Sequence, residues 1–318
     1  MKAEFPETLQ EAIQYFSSEE TAFEFVRSMR WADGVPVCHF CACRESYALS
    51  VRGTWKCREC RKKFSVRAGT IFEDSPISLG KWMGAFWLIV NAKNGISSYE
   101  IGRALGVTQK TGWFMLQRIR LAMQNGSIVK IGGQVEVDET FIGGKARNMH
   151  KGKRQVNGTG PVAMTPVHGL LERNRSKGAS RVILKVAENR KKTELQGNVR
   201  EYVLKGSIVH TDELLSYEGL QDEYTHNVIN HAECYVRGHV HTNGLENFWS
   251  LLKRTIKGTY VSVEPFHLFR YLDEQSFRFN ERKDNDQGRF LKAIAGIAGR
   301  RLTWLKLTGC EDRLPAQA

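Results

Sequence analysis

Along the 318-residue chain the spacing of apolar positions changes character near residues 35, 76 and 131. The opening stretch, residues 1–30, places Phe16, Phe23, Phe25 and Val26 where an amphipathic helix would bury them. Residues 35–67 carry only short alternating segments. Residues 76–125 read as helices, with turn signals at Asn94-Gly95 and Leu105-Gly106. From Ile131 the period becomes two: Val135, Val137 and Phe141 alternate with Glu136, Asp138 and Thr140. Strands are predicted near 133–142, 162–171 and 180–187, a helix near 192–204 and a strand near 207–212. A second helix, a short strand near 226–230 and helices near 243–256, 264–282 and 288–299 complete the pattern. Alternating strands and helices of this kind predict an α/β unit with a central mixed sheet.

At ~150 residues per domain, the length implies about two domains. The expected organisation is an N-terminal helical segment (1–34), a cysteine-bearing module (35–70), a helical region (76–128), an α/β domain (131–300) and a C-terminal tail (301–318). Composition adds one strong constraint. Apolar residues make up 41%, enough for real cores, but the formal net charge is +13. Such an excess points to a polyanionic partner, foremost nucleic acid. The N-terminal MKAEFPETLQEA has no apolar run, and Phe86–Val90 falls far short of the ~20 residues of a membrane span. A cytoplasmic, nucleoid-associated protein with no membrane partner is expected.

Five of seven cysteines lie between Cys38 and Cys60. Cys38-x2-Cys41 and Cys57-x2-Cys60 supply four thiolates at the spacing of a tetrahedral zinc site. Cys43 fits worse, one residue beyond Cys41, and His39 is expected to point away. Basic residues crowd this module. Arg58, Arg61, Lys62 and Lys63 are the candidate phosphate contacts.

The segment Ser97–Met123 suggests a second DNA-binding element. Ser98 is placed to cap a helix carrying Ile101 and Leu105, Gly106 to make the turn, and Thr108 to cap a second helix. That order resembles a helix-turn-helix, whose second helix would present Gln109, Lys110 and Thr111 to double-stranded DNA.

Three acids then stand in patterns that ask for a reason. Asp138 lies within an apolar-alternating strand, where a bare carboxylate is costly. Asp212 ends a short apolar strand, and Glu246 opens an amphipathic helix. Each has a plain alternative, Asp212 as a helix cap and Glu246 as a favourable N-terminal charge. Glu136 and Glu139 compete with Asp138, and Glu213 competes with Asp212. Together the three acids match a Mg2+ or Mn2+ site for phosphodiester chemistry. Gly244 would weaken a helix interior, although a helix start tolerates it. His210 and His241 flank these motifs without a decided role, and Phe248 and Trp249 read as core.

The motifs VEVDETFIGGK (135–145), HTDELLSY (210–217), HTNGLENFWSLLKRTIKGTY (241–260) and FRFNERK (277–283), with the four-cysteine module, resemble the ISXO2-like transposases of the IS1595 insertion-sequence family. The resemblance spans nearly the whole chain. It implies an RNase H-like core of the DDE type behind a zinc ribbon, and carries the acids to Asp138, Asp212 and Glu246. The trailing lysine falls on Lys253, two helical turns after Glu246, and Lys145 follows the first strand. The implied function is a DNA transposase that binds element ends, cleaves them and joins them to target DNA as a homo-oligomer. The alternatives are a domesticated DNA-binding regulator and a nuclease of the same fold that does not join strands.

Overall fold

The computed structural model describes residues 5–124, 129–143, 164–173, 180–212, 215–229 and 241–310. Lys145, Gly144, Glu213 and Cys234 lie outside them. The chain forms two compact units, residues 1–124 with 284–318, and residues 125–283.

The first unit opens with two helices where the sequence suggested one amphipathic stretch. Helix α1 (Leu9–Tyr15) starts at a capping box between Thr8 and Glu11 and ends at Phe16. Ser17 then turns its hydroxyl back onto the Gln14 carbonyl at 2.6 Å. Ser18 caps α2 (Glu19–Arg30) by accepting from the Thr21 N–H. Consecutive serines compete with helical backbone bonds, which explains the break. Three short antiparallel strands follow in the order β1 (Ser46–Ala48), β2 (Thr54–Cys57) and β3 (Lys63–Ser65). Their packing is aromatic, with the Trp31 and Trp55 ring centroids 5.2 Å apart and Phe64 buried beside them.

Helix α3 (Leu79–Asn91) buries Trp82, Phe86 and Trp87 almost completely. Helix α4 (Ser98–Leu105) is capped by Ser97, not Ser98, because Glu100 closes the box from the third helical position. Gly106 ends it at φ 61°, and Thr108 caps α5 (Gln109–Ala122). The two helices cross closely at Gly112, where a Cβ would lie 2.8 Å from the Ser98 carbonyl.

The second unit is a five-stranded sheet flanked by helices. Its elements are β4 (Gln134–Ile142), β5 (Thr165–Arg173), β6 (Arg181–Val186), α6 (Lys192–Tyr202), β7 (Ile208–Asp212), β8 (Thr225–Ile229), α7 (Asn243–Thr255) and α8 (Pro265–Asn280). The strand order is β6-β5-β4-β7-β8. Pairing is antiparallel from β6 to β4 and parallel from β4 to β8, so the sheet is mixed with β4 at its centre. Val135, Val137 and Val209 face a core built with Leu195, Val199 and Tyr202 of α6. The opposite face is covered by Leu245, Phe248, Trp249 and Leu252 of α7 and Leu268 and Leu272 of α8. The helix expected between β7 and β8 is replaced, among the described residues, by two single 3-10 turns, Leu215–Tyr217 and Leu220–Asp222. Gly219 separates them at φ 95°, a conformation no helix interior accepts.

At Asp284 the chain returns to the first unit. Helix α9 (Asp286–Ala295), expected as part of the α/β domain, instead sends Phe290 into the aromatic core of Phe5, Phe16, Phe25 and Trp87. A last short helix, α10 (Trp304–Thr308), packs Trp304 against Trp113 and Phe114. No helix among the described residues is long and apolar enough to cross a membrane.

Candidate metal centre and active site

Two knuckles of the same design present the cysteines. In each, the first cysteine donates its N–H to a carbonyl five residues on, Cys38 to Cys43 at 2.9 Å and Cys57 to Lys62 at 3.1 Å. The residue after the second cysteine takes positive φ, Ala42 at 60° and Arg61 at 61°. The chain therefore curls around a point, and the four Sγ atoms of Cys38, Cys41, Cys57 and Cys60 all lie within 4.8 Å of one another. Cys38 and Cys60 are 3.6 Å apart, as are Cys41 and Cys57. Tetrahedral zinc with Zn–S near 2.3 Å requires sulfurs about 3.8 Å apart, so the donor set fits that ion. Cys43 turns to the Glu45 carbonyl, and the His39 ring packs on Phe40 and Phe64.

Arg58, Arg61, Lys62 and Lys63 are all exposed around this cluster, with the Lys62 ammonium over the Phe40 ring at 4.6 Å. Other basic residues of the unit serve the fold. Arg44 pairs with Asp33 and Arg52 with Glu20. Arg67 bonds the carbonyls of Ser75 and Ile77 at 2.7 Å, and buried Arg118 bonds those of Ile71 and Glu73 at 2.8 Å. At the start of α5, Gln109 donates to the Ser98 hydroxyl at 2.8 Å. Lys110 sits over the Trp304 ring at 4.5 Å, and Thr111 bonds Thr108 at 2.8 Å. Gln109 and Lys110 nonetheless remain exposed.

In the second unit, β4 and β7 pair in parallel with Glu136 opposite His210. The pairing ends at that pair, and Asp138 and Asp212 each lie two residues further along their own strands, on the same face as Glu136 and His210. The same sheet face supports α7, which exposes Glu246 in its first turn and Lys253 in its last. Asp138 is held from two sides. The Trp249 indole donates to its Oδ2 at 2.8 Å, and the Glu139 N–H donates to its Oδ1 at 2.8 Å. Trp249 reaches it because Gly169 lies beneath the ring; a Cβ there would come within 2.5 Å of the indole. Burial raises the Asp138 pKa above the ordinary carboxylate range, and the Asp212 and Glu246 charges push the same way. The three acids thus share one electrostatic neighbourhood; a divalent cation there would relieve repulsion, and their hard oxygens would suit Mg2+ or Mn2+. Among the described residues only the four thiols are gathered within 4.8 Å; the carboxylates stand further apart.

Sequence reading undervalued several neighbours. Glu139 turns to the α6 face, where burial lifts its pKa to about 7 despite a hydrogen bond from the Tyr217 hydroxyl. Buried His168 holds Tyr217 from behind at 3.1 Å, its pKa depressed by burial to about 3. Glu136 is 1% exposed and pairs with Arg173 at 2.6 Å. The sequence marked both glutamates only as competitors of Asp138 and could not say what each one meets.

A four-thiol knuckle module and an α/β unit with acids on adjacent central strands define a zinc-ribbon protein with a DDE-type domain. The comparisons agree. The ISXO2-like transposase domain model matches residues 130–280, and the transposase zinc-ribbon model matches residues 17–63. The chain belongs to the ISXO2-like transposases of the IS1595 family. It is 27% identical over 253 residues to an uncharacterized protein in transposable element ISH50 of Halobacterium salinarum, covering 76% of this chain and 84% of that one. It is 35% identical over 97 residues to an uncharacterized transposase-like protein of Haemophilus influenzae, covering 30% of this chain and 78% of that one.

Proposed function

We propose that this transposase binds insertion-sequence ends, cleaves them and joins the freed 3′ hydroxyl to target DNA, with Asp138, Asp212 and Glu246 as its catalytic acids. The observation that supports the reading is the parallel pairing of β4 with β7 as far as Glu136 and His210, each two residues before an aspartate, with the helix bearing Glu246 packed over the same sheet. Asp138, Asp212 and Glu246 would hold a Mg2+ or Mn2+ ion, which would supply Lewis-acid chemistry for attack by water in cleavage and by the 3′ hydroxyl in joining. The chain's own residues do the rest. Trp249 and the Glu139 N–H hold the Asp138 carboxylate in one orientation. Lys253, on the exposed side of α7 with Glu246, contacts a DNA phosphate. Arg58, Arg61, Lys62 and Lys63 of the ribbon, Gln109, Lys110 and Thr111 of α5, and Lys145 contribute further DNA contacts, and zinc keeps the ribbon folded. Holding two ends together calls for a homo-oligomer on DNA.

The test is cleavage and strand transfer on labelled end DNA with Mg2+, comparing wild type with Asp138→Asn and Glu246→Gln. Joining by the wild type that both variants lose, with DNA binding retained, supports the proposal. Cutting without joining supports a nuclease, and binding without cutting in Mg2+ or Mn2+ supports a regulator.

A further inference from the structure

Helix α7 has to be placed accurately for Glu246 to meet acids carried on the sheet, yet its start lacks the usual local device. The N-cap residue Thr242 makes no side-chain capping bond. The acceptor comes from another element. Glu136 Oε2, on β4, receives the Leu245 N–H at 2.8 Å, immediately before Glu246. Glu136 is 1% exposed, and its other oxygen pairs with Arg173 Nε at 2.6 Å and lies 3.5 Å from His241 Nδ1. Arg173 reaches on to His241, donating to its Nδ1 at 2.7 Å and also to its backbone carbonyl. The residues just before α7 are therefore tied to the same carboxylate. Gly244 completes the fit, because a Cβ there would stand 2.8 Å from Glu136 Oε2. A glycine that weakens a helix interior is thus required by the approach of a carboxylate. Glu136 and Asp138 lie two residues apart on one strand and so share a face.

From this geometry we infer that Glu136 is a positioning residue: it caps α7 from the neighbouring strand, with Arg173 and Gly244, and sets the distance of Glu246 from Asp138. A negative charge at a helix N-terminus is stabilising, and removing one partner of a buried ion pair such as Glu136–Arg173 is costly. One strand thereby carries the first catalytic acid and the clamp for the third. The inference rests on the reading of Glu246 as a catalytic acid.

The test compares Glu136→Gln, Glu136→Ala, Gly244→Ala and Glu246→Gln in the full-length protein. The readouts are melting temperature, end-DNA affinity, Mn2+ affinity by calorimetry and single-turnover end cleavage. Cleavage is expected to fall about tenfold for Glu136→Gln, which keeps an acceptor, and about a hundredfold for Glu136→Ala, as for other misplacements of about 1 Å. Mn2+ binding should weaken about tenfold, as for other residues that orient ligands, with DNA affinity unchanged. Gly244→Ala should reproduce the loss, and adding Glu136→Asp, one methylene shorter, should restore part of it. Folded Glu136→Gln and Gly244→Ala proteins with wild-type cleavage and Mn2+ affinity would overturn the inference alone, provided Glu246→Gln is inactive. An active Glu246→Gln protein would instead remove the assignment of Glu246, and the inference with it.

Discussion

The zinc ribbon and the proposed carboxylate site would hold a metal by different means. In the ribbon all four ligands come from one short stretch, Cys38 to Cys60, on two knuckles joined to strands of three or four residues with a few aromatic rings for a core. In the α/β unit the acids come from β4, β7 and α7, and both sheet faces are covered by buried aliphatic and aromatic side chains. The ribbon is too small to fold on burial alone, so its ion is part of its stability. The α/β unit has a hydrophobic core on each face of its sheet that involves no ion, and Asp138 lies within electrostatic reach of Asp212 and Glu246. Zinc makes its fold, whereas an ion at the acids would be accommodated by a fold already made.

The sharpest way to break this contrast is to remove zinc. Structural zinc supplies on the order of 10 kcal/mol in small modules. Cys57→Ser or a strong chelator should therefore unfold residues 35–67 and release zinc stoichiometrically. Amide exchange of β4–β8 should barely change, and unfolding of both units together would contradict the contrast. Next is Asp138→Asn. It should cost on the order of 10³-fold or more in cleavage, the scale of losing a main electrostatic contact. Its melting temperature without metal should equal or exceed the wild type, since burial already disfavours the charge and the amide oxygen still accepts from Trp249. Addition of Mn2+ should stabilise the wild type only.

A smaller effect concerns pH. Burial holds the His168 pKa near 3 against 6.5 for a free histidine. The unfolded chain takes up this proton below pH 6.5 and the folded chain does not, so the stabilisation is complete above that pH and is lost as pH falls toward 3. By pH 5 the loss is about 2 kcal/mol. Denaturant titrations of wild type and His168→Gln at pH 5 and 8 should show a shallower pH dependence in the variant; equal slopes would place this histidine's titration elsewhere. Smallest is Lys253→Ala. It should lower the salt dependence of end binding by about one phosphate contact and leave zinc content and melting temperature unchanged.

Much of the site was legible along the chain, for identifiable reasons. The cysteine spacing, the period-two strand around Asp138 and the apolar strand ending in Asp212 are local signals, and the structure places the elements accordingly. The helix expected between the strand ending in Asp212 and the next strand failed: among the described residues that segment forms 3-10 turns on either side of Gly219. Trp249 was legible as core, and it is buried, but its indole also fixes Asp138. That second role depends on Gly169 of β5, which no spacing rule links to α7. Basic residues near the cysteines were legible as a charge cluster, yet Arg44, Arg52 and Arg67 are committed to partners inside their own unit.

What the sequence determined by itself is what rests on neighbours in the chain: the periods that make strands and helices, the caps at Thr8, Ser18 and Thr108, and two knuckles that bring their own sulfurs together. Tertiary structure alone decided what depends on residues far apart meeting. The return of α9 to the first unit follows from Phe290 finding an aromatic core hundreds of residues upstream. The parallel pairing of β4 and β7 brings Asp138 within electrostatic reach of Asp212, and Glu136 reaches α7 because the helix packs over its strand. Register and docking minimise free energy over whole faces of the sheet, so no short window of sequence contains them.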